Sequence, residues 1–74
     1  MNEIIFVVQE DRVDGGFYAK AHWPIDNRTI VTQGDTHKDL VENIRDAIDA
    51  SFDEQEQQPK LIHLHFVRDE TIVR

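Results

Sequence analysis

Cysteine is absent from the 74-residue sequence, and glycine and proline occur only three times and twice. Without cysteine the chain can form neither disulfides nor thiolate metal sites. No apolar run approaches the roughly 20 residues that a membrane helix requires. The N-terminus also has neither the basic segment nor the small-residue cleavage site of a signal peptide. We therefore expect a soluble, cytoplasmic protein.

The short length predicts a single domain over residues 1–74. A core of this size rarely supplies more than about 3–5 kcal/mol of stability, so small domains often depend on disulfides, bound metals or partner chains. Since disulfides are excluded, the remaining sources of stability are a well-packed core and association with another chain.

Positive charge is also scarce, because 15 acidic residues outnumber eight basic ones and give a net charge of −7. This charge repels phosphate backbones, so we expect no direct binding to nucleic acid. It raises the encounter rate with a basic partner. Acidity of this kind can also serve solubility alone, so composition by itself leaves both roles open.

Four segments have the composition or alternation of β-strands, and a Gly-Gly turn at Asp14-Gly15-Gly16 joins the first two. The predicted strands are 3–10, 17–23, 29–32 and 60–68. A turn signal without glycine at Asp69-Glu70 leaves open a short final strand at 71–74. In the fourth strand, apolar residues at 62, 64 and 66 alternate with His63 and His65. This alternation predicts one buried face.

An amphipathic helix follows the third strand, with Asp35 or Thr36 as its N-cap. One apolar stripe runs along it at helical spacing: Leu40, Val41, Ile44, Ala47, Ile48 and Phe52. The polar segment 53–59 ends the helix. We therefore predict an α+β fold of order β-β-β-α-β, an antiparallel sheet with one helix packed on one face.

A single helix covers only one face of such a sheet, which leaves the opposite face open. The strand patterns place five apolar or aromatic side chains there: Ile5, Val7, Tyr18, Val31 and Val67. An exposed face of this kind normally contacts another molecule. We expect a homo-oligomer or a partner protein at this face.

Two glycine motifs and the helix carry a resemblance to a known family. The segment DGGFYA at 14–19 is followed by TQGDT at 32–36 and by ENIRDAI at 42–48. This ordered set, over roughly residues 3–50, resembles the N-terminal domain of HicB-type antitoxins. The C-terminal KLIHLHFVRDETIV is similar to the ending of short stand-alone HicB-like proteins. The resemblance implies a partial RNase H-like sheet with one helix.

The same resemblance implies that the chain is the antitoxin of a type II toxin-antitoxin pair and not an enzyme. Its partner would be a small basic toxin of double-stranded-RNA-binding fold that cleaves mRNA, and no cofactor or catalytic residue is expected. The family's Pro-Leu-Pro-Gly segment is replaced here by residues 24–28, PIDNR. The chain also lacks a basic recognition segment, so we expect no DNA binding from it.

For the partner-binding surface we single out Asp11, Asp14, Tyr18, His22 and Trp23. Aromatic residues dominate interface energetics, and the two aspartates would face basic residues of the toxin. The alternatives are structural: Trp23 packs against Pro24 and the sheet edge, and the aspartates hydrogen-bond the backbone of their turn.

Metal chemistry has weaker support. His63 and His65 share one strand face, a spacing that can chelate Zn²⁺, but no distinctive third ligand accompanies them. Glu10, Asp11 and Asp14, with Asp35 nearby, are an acidic group that could hold Mg²⁺. We predict no metal site and no catalytic residue. The alternative functions are a stand-alone homo-oligomeric module that binds a small molecule or non-toxin protein, and a metal-dependent hydrolase using the histidine pair.

Overall fold

The computed structural model describes residues 2–53, 56, 58–68 and 70–74. It confirms the predicted order β-β-β-α-β. The elements are β1 (Glu3–Glu10), β2 (Phe17–Trp23), β3 (Arg28–Gly34), α1 (His37–Ser51) and β4 (Leu61–Val67).

The four strands form one sheet in the order β3-β2-β1-β4. β2 pairs antiparallel with both β1 and β3, whereas β4 pairs parallel with β1. The sheet is therefore mixed and differs from the antiparallel sheet that the sequence predicts. The reason is the connection: α1 carries the chain from the β3 edge to the opposite edge, and a strand entered through a helical crossover runs parallel to the strand before the helix.

The core lies between α1 and one face of the sheet. Eleven hydrophobic residues are buried there: Ile4, Phe6, Val8, Ala19, Ala21, Trp23, Ile30, Leu40, Ile44, Ile48 and Phe52. The apolar helical stripe thus faces the core as predicted. Thr36 is the N-cap, and its hydroxyl accepts a hydrogen bond of 3.1 Å from the backbone N–H of Asp39.

The prediction that β4 has one buried face is wrong. Its residues on the helix side include Phe66, which is 48% exposed, and Ile62, which is 39% exposed. The helix backbone approaches β3 and β2, so the side chains of β4 receive little cover. The short final strand left open at 71–74 does not form, since these residues have no regular structure and lie exposed, and Asp69 of the turn before it lies outside the described residues.

The two glycine motifs contact each other at the end of the sheet. Gly16 has a φ of +87°, and a Cβ at this position would lie 2.9 Å from the carbonyl oxygen of Gly34. A Cβ on Gly34 would lie 2.6 Å from the Cα of Leu40 in α1. The motifs therefore allow the β1–β2 loop, the end of β3 and the first turn of the helix to approach one another.

Arg28 ties the start of β3 to the end of the helix. Its guanidinium donates a hydrogen bond to the backbone carbonyl of Ser51 and lies 4.5 Å from the centroid of the Phe52 ring. It also pairs with Glu56 at 2.9 Å and with Asp26 at 2.5 Å. This link joins segments more than 20 residues apart in the sequence, so no local pattern predicts it.

The Arg28–Glu56 pair predicts a small loss of stability in acid. The hydrogen bond from Arg28 is the main cause that lowers the pKa of Glu56 below its ordinary value of 4.5. Because the folded-state pKa is lowered, the stabilisation is present above pH 4.5 and is lost as the pH falls through the folded value. Urea unfolding should show Glu56→Gln less stable than the wild type at pH 7 and equal to it at pH 2. A difference that stays constant over this range would contradict the prediction.

Candidate functional site

An acidic cleft lies at the end of the sheet where the β1–β2 loop meets the junction of β3 and α1. Its volume is about 300 Å³. Three carboxylates line it, those of Asp11, Asp14 and Asp35, together with Tyr18 and Gln33. The expected proximity of Asp35 to the acidic loop is therefore confirmed.

The loop that presents these carboxylates is held by local hydrogen bonds. The backbone N–H of Asp11 donates to the carbonyl of Gly16 at 2.9 Å. The Asp11 Oδ1 accepts from the backbone N–H groups of Val13 at 3.0 Å and Asp14 at 3.1 Å. Asp11 thus has the turn-forming role that was the structural alternative, and it holds the loop at the mouth of the cleft.

The cleft is formed by the two motifs that carry the family resemblance. Asp14, Gly15 and Phe17 come from the first motif, and Gly34 and Asp35 come from the second. Since Phe17 pairs with Gly34 across β2 and β3, strand register brings the two motifs together. A recess lined by carboxylates attracts arginine or lysine side chains, with which they form charge-assisted hydrogen bonds.

The open sheet face is a second candidate surface. We define it as the strand side chains on the side opposite α1. A shallow hollow of about 480 Å³ lies on it. Its lining residues are Ile5, Val7, Gln9, Tyr18, Lys20 and His22. Tyr18 lines both this hollow and the acidic cleft, so the two surfaces meet at its side chain.

The predicted partner-binding residues are thus divided between two surfaces. Asp11 and Asp14 lie at the acidic cleft, His22 lies on the open sheet face, and Tyr18 lies at the junction. Trp23 is not available as an interface anchor, because it is 2% exposed. It packs edge-to-face against Phe52 in the core, with ring centroids 5.5 Å apart. The alternation along β2 explains this placement, since residues 19, 21 and 23 all point towards the helix.

The three strand histidines lie on the open sheet face. His63 and His65 are on the same side of β4, as their spacing predicts. His63 pairs with Ile5, and the β1–β2 register continued by one residue places His22 on the other side of Ile5. Two strand spacings, about 10 Å, therefore separate the backbones at His22 and His63. Within the described ranges, no group of three or more His, Cys, Asp or Glu residues could hold a metal ion.

Sequence reasoning missed an aromatic cluster beside the acidic cleft. The rings of Phe17 and Phe66 meet edge-to-face at 6.2 Å, and His37 stacks on Phe66 at 6.0 Å. A hollow of about 430 Å³ next to this cluster shares Asp11 and Phe17 with the acidic cleft. No local signal could have found it, because the cluster depends on the parallel register of β4.

No family model matches the chain, and no solved structure matches it. In the described part of the chain, no helix is long and apolar enough to cross a membrane. A UPF0150 protein of Thermotoga maritima is 43% identical over 70 residues, which cover 95% of this chain and 90% of that protein. The chain therefore belongs to the UPF0150 family.

Proposed function

We propose that this protein is the cytoplasmic antitoxin of a type II toxin-antitoxin pair. It binds and occludes a small basic mRNA-cleaving toxin of double-stranded-RNA-binding fold. The observation that carries the proposal is the acidic cleft, because the two motifs that resemble HicB-type antitoxins are the ones that form it. The chain acts by covering the toxin, and none of its residues is assigned a catalytic role.

Electrostatics supports a basic partner. The chain carries a net charge of −7, and three carboxylates converge on one cleft. A field of this sign steers a cationic protein towards the surface and disfavours RNA, the substrate that the toxin would otherwise bind. Charge-assisted hydrogen bonds from arginine or lysine would then fix the orientation of the toxin.

Tyr18 supplies an apolar contact beside the charges. Its side chain lines the acidic cleft and the hollow on the open sheet face, and Tyr18 is 43% exposed. Tyrosine is enriched at interface hot spots because its ring buries a large area while its hydroxyl remains able to hydrogen-bond. We assign Tyr18 as the aromatic anchor in place of the buried Trp23.

A charge-neutralising pair of variants tests the proposal. Asp14→Asn with Asp35→Asn removes two charges from the cleft and preserves the size of both side chains. Asp46→Asn with Asp49→Asn removes two charges from exposed positions of α1. Both positions lie about 15 Å or more along the helix from its N-cap. We expect the first pair to weaken toxin binding by about tenfold or more and the second to change it little.

The measurement begins with tagged full-length protein purified from its native host. We expect a basic protein of under about 100 residues to co-purify in stoichiometric amount. It should be an active ribonuclease when isolated and inactive in the complex. Its affinity for the two double variants is then measured by titration calorimetry. Recovery of a partner without ribonuclease activity, or equal affinity of both double variants, would contradict the proposal or its site.

The second candidate is a stand-alone homo-oligomeric binding module for a small molecule or a non-toxin protein. The shallow hollow of about 480 Å³ on the open sheet face favours it, since ligand sites are concave and mostly apolar. This function predicts that the native host yields a defined oligomer of the bait without a ribonuclease partner.

A further inference from the structure

We infer that the open sheet face is the surface through which two copies of this chain associate. The acidic cleft then remains on the outside of each copy. The open sheet face adjoins the acidic cleft at Tyr18, but its centre at Val7 and Lys20 lies apart from the cleft carboxylates, so variants at position 7 test this assignment separately from the toxin site.

The face carries exposed apolar side chains on both sides of Lys20. Ile5 is 51% exposed, and Val7 and Val31 are similarly exposed. Val7 pairs with Lys20, and Lys20 pairs with Val31. Val7, Lys20 and Val31 therefore form one row across three strands, and the first two of them line the hollow of about 480 Å³ together with Ile5. Burial of such side chains against another apolar surface contributes about 25 cal/mol per Å².

The distribution of charge favours a second copy as the occupant. The four strands contain only two acidic residues, Glu3 and Glu10, of the 15 in the chain. Glu10 alternates to the helix side, which leaves Glu3, at the end of β1, as the carboxylate of the open sheet face. The rest of the acidity lies in the loops and the helix. Two copies can thus meet at this face while their carboxylates point away from each other.

A basic partner has less to gain at the same face. Its charged and titratable side chains are Lys20, Glu3 and Tyr18 together with three histidines, so it presents no anionic surface to a cation. The basic toxin proposed above fits the acidic cleft better. Lys20 is compatible with an apolar contact, because its methylene stem can lie along the face while the ammonium reaches the rim.

The dimensions of the face are sufficient for a modest dimer. Four strands spaced about 4.8 Å apart and seven residues rising about 3.3 Å each give a flat area of about 440 Å². Two copies then bury on the order of 1,000 Å² in total, because protruding side chains add to the flat area. This value is at the lower limit for a specific interface. We therefore expect reversible association with a dissociation constant in the micromolar range.

A matched pair of variants tests the interface. Val7→Lys places a cation beside Lys20 at the centre of the face, and Val13→Lys makes the same change in the β1–β2 loop, where Val13 is 92% exposed. Sedimentation equilibrium of the full chain should show a dimer for the wild type and for Val13→Lys. Val7→Lys should dimerise at least about tenfold more weakly, with an unchanged circular dichroism spectrum.

A second readout does not depend on how the lysine variant folds. Because the chain has no cysteine, Val7→Cys and Val13→Cys each introduce a single reactive thiol. Labelling by maleimide should slow as the protein concentration rises for Val7→Cys and stay constant for Val13→Cys. A wild type that is monomeric at millimolar concentration would overturn the inference, as would a dimer in which the thiol at position 7 is labelled at a constant rate.

Discussion

Gly34→Ala is expected to lower the free energy of unfolding by about 3 kcal/mol, the largest loss expected of any single glycine substitution in this chain. An added Cβ would lie 2.6 Å from the Leu40 Cα and 2.9 Å from the Asp39 carbonyl carbon, and it would be closer still to the Leu40 backbone nitrogen. These are backbone atoms of the first helical turn, so a side-chain rotation cannot relieve the contact. Overpacking costs about 1–3 kcal/mol and occasionally more, and the upper end applies here because backbone atoms cannot move aside; this is a large share of the stability of so small a domain.

Gly15→Ala is the control for this prediction. Gly15 has a φ of +80°, but a Cβ there would meet nothing within 4 Å. The cost is then only that of the left-handed backbone, about 1–2 kcal/mol. Urea unfolding followed by circular dichroism measures both variants. If Gly34→Ala were no less stable than Gly15→Ala, the close approach of β3 and α1 would be wrong.

Trp23→Ala is expected to lower the free energy of unfolding by about 3–5 kcal/mol. The indole is 2% exposed and contacts the Phe52 ring edge-to-face at 5.5 Å. Phe52 in turn lies under the Arg28 guanidinium. Removing the indole therefore leaves a cavity and loosens the attachment of the helix end to the sheet.

Tyr18→Ala is the control for Trp23→Ala, because it removes an exposed aromatic side chain from the same strand. Tyr18 faces the open side of β2 and is 43% exposed, so its removal should cost under about 1 kcal/mol of stability. Thermal and urea unfolding of the two variants give the comparison. Equal stability of Trp23→Ala and the wild type would contradict the core position of Trp23. Toxin binding should be weakened by Tyr18→Ala, since that side chain is the proposed anchor.

The helix and the first two strands could be predicted from the sequence because their signals are local. The apolar stripe of α1 and the Thr36 cap lie within one segment, and the Gly15-Gly16 turn fixes the first hairpin. β4 was correctly predicted as a strand, but the predictions that it is antiparallel and has one buried face were wrong. Both depend on where the helix crosses the sheet, which no pattern within β4 records.

The acidic cleft could be predicted only in part. Asp11 and Asp14 lie three residues apart in the sequence, and their turn is recognisable. Asp35 joins them because Gly34 lies opposite Phe17 in the β2–β3 register. Trp23 was wrongly included among the partner-binding residues. Its residue type favours an interface, but its place in the alternation of β2 buries it.

The sequence by itself determined the order β-β-β-α-β, the helix cap to within one residue, the apolar stripe and the excess of negative charge, since each depends on composition or on neighbours within a few residues. The tertiary structure decided the parallel pairing of β4, the burial of Trp23 and the convergence of three aspartates. It also decided that the carboxylates lie largely away from the open sheet face. These features arise from contacts between segments distant in sequence, and such contacts are set by strand register and helix placement.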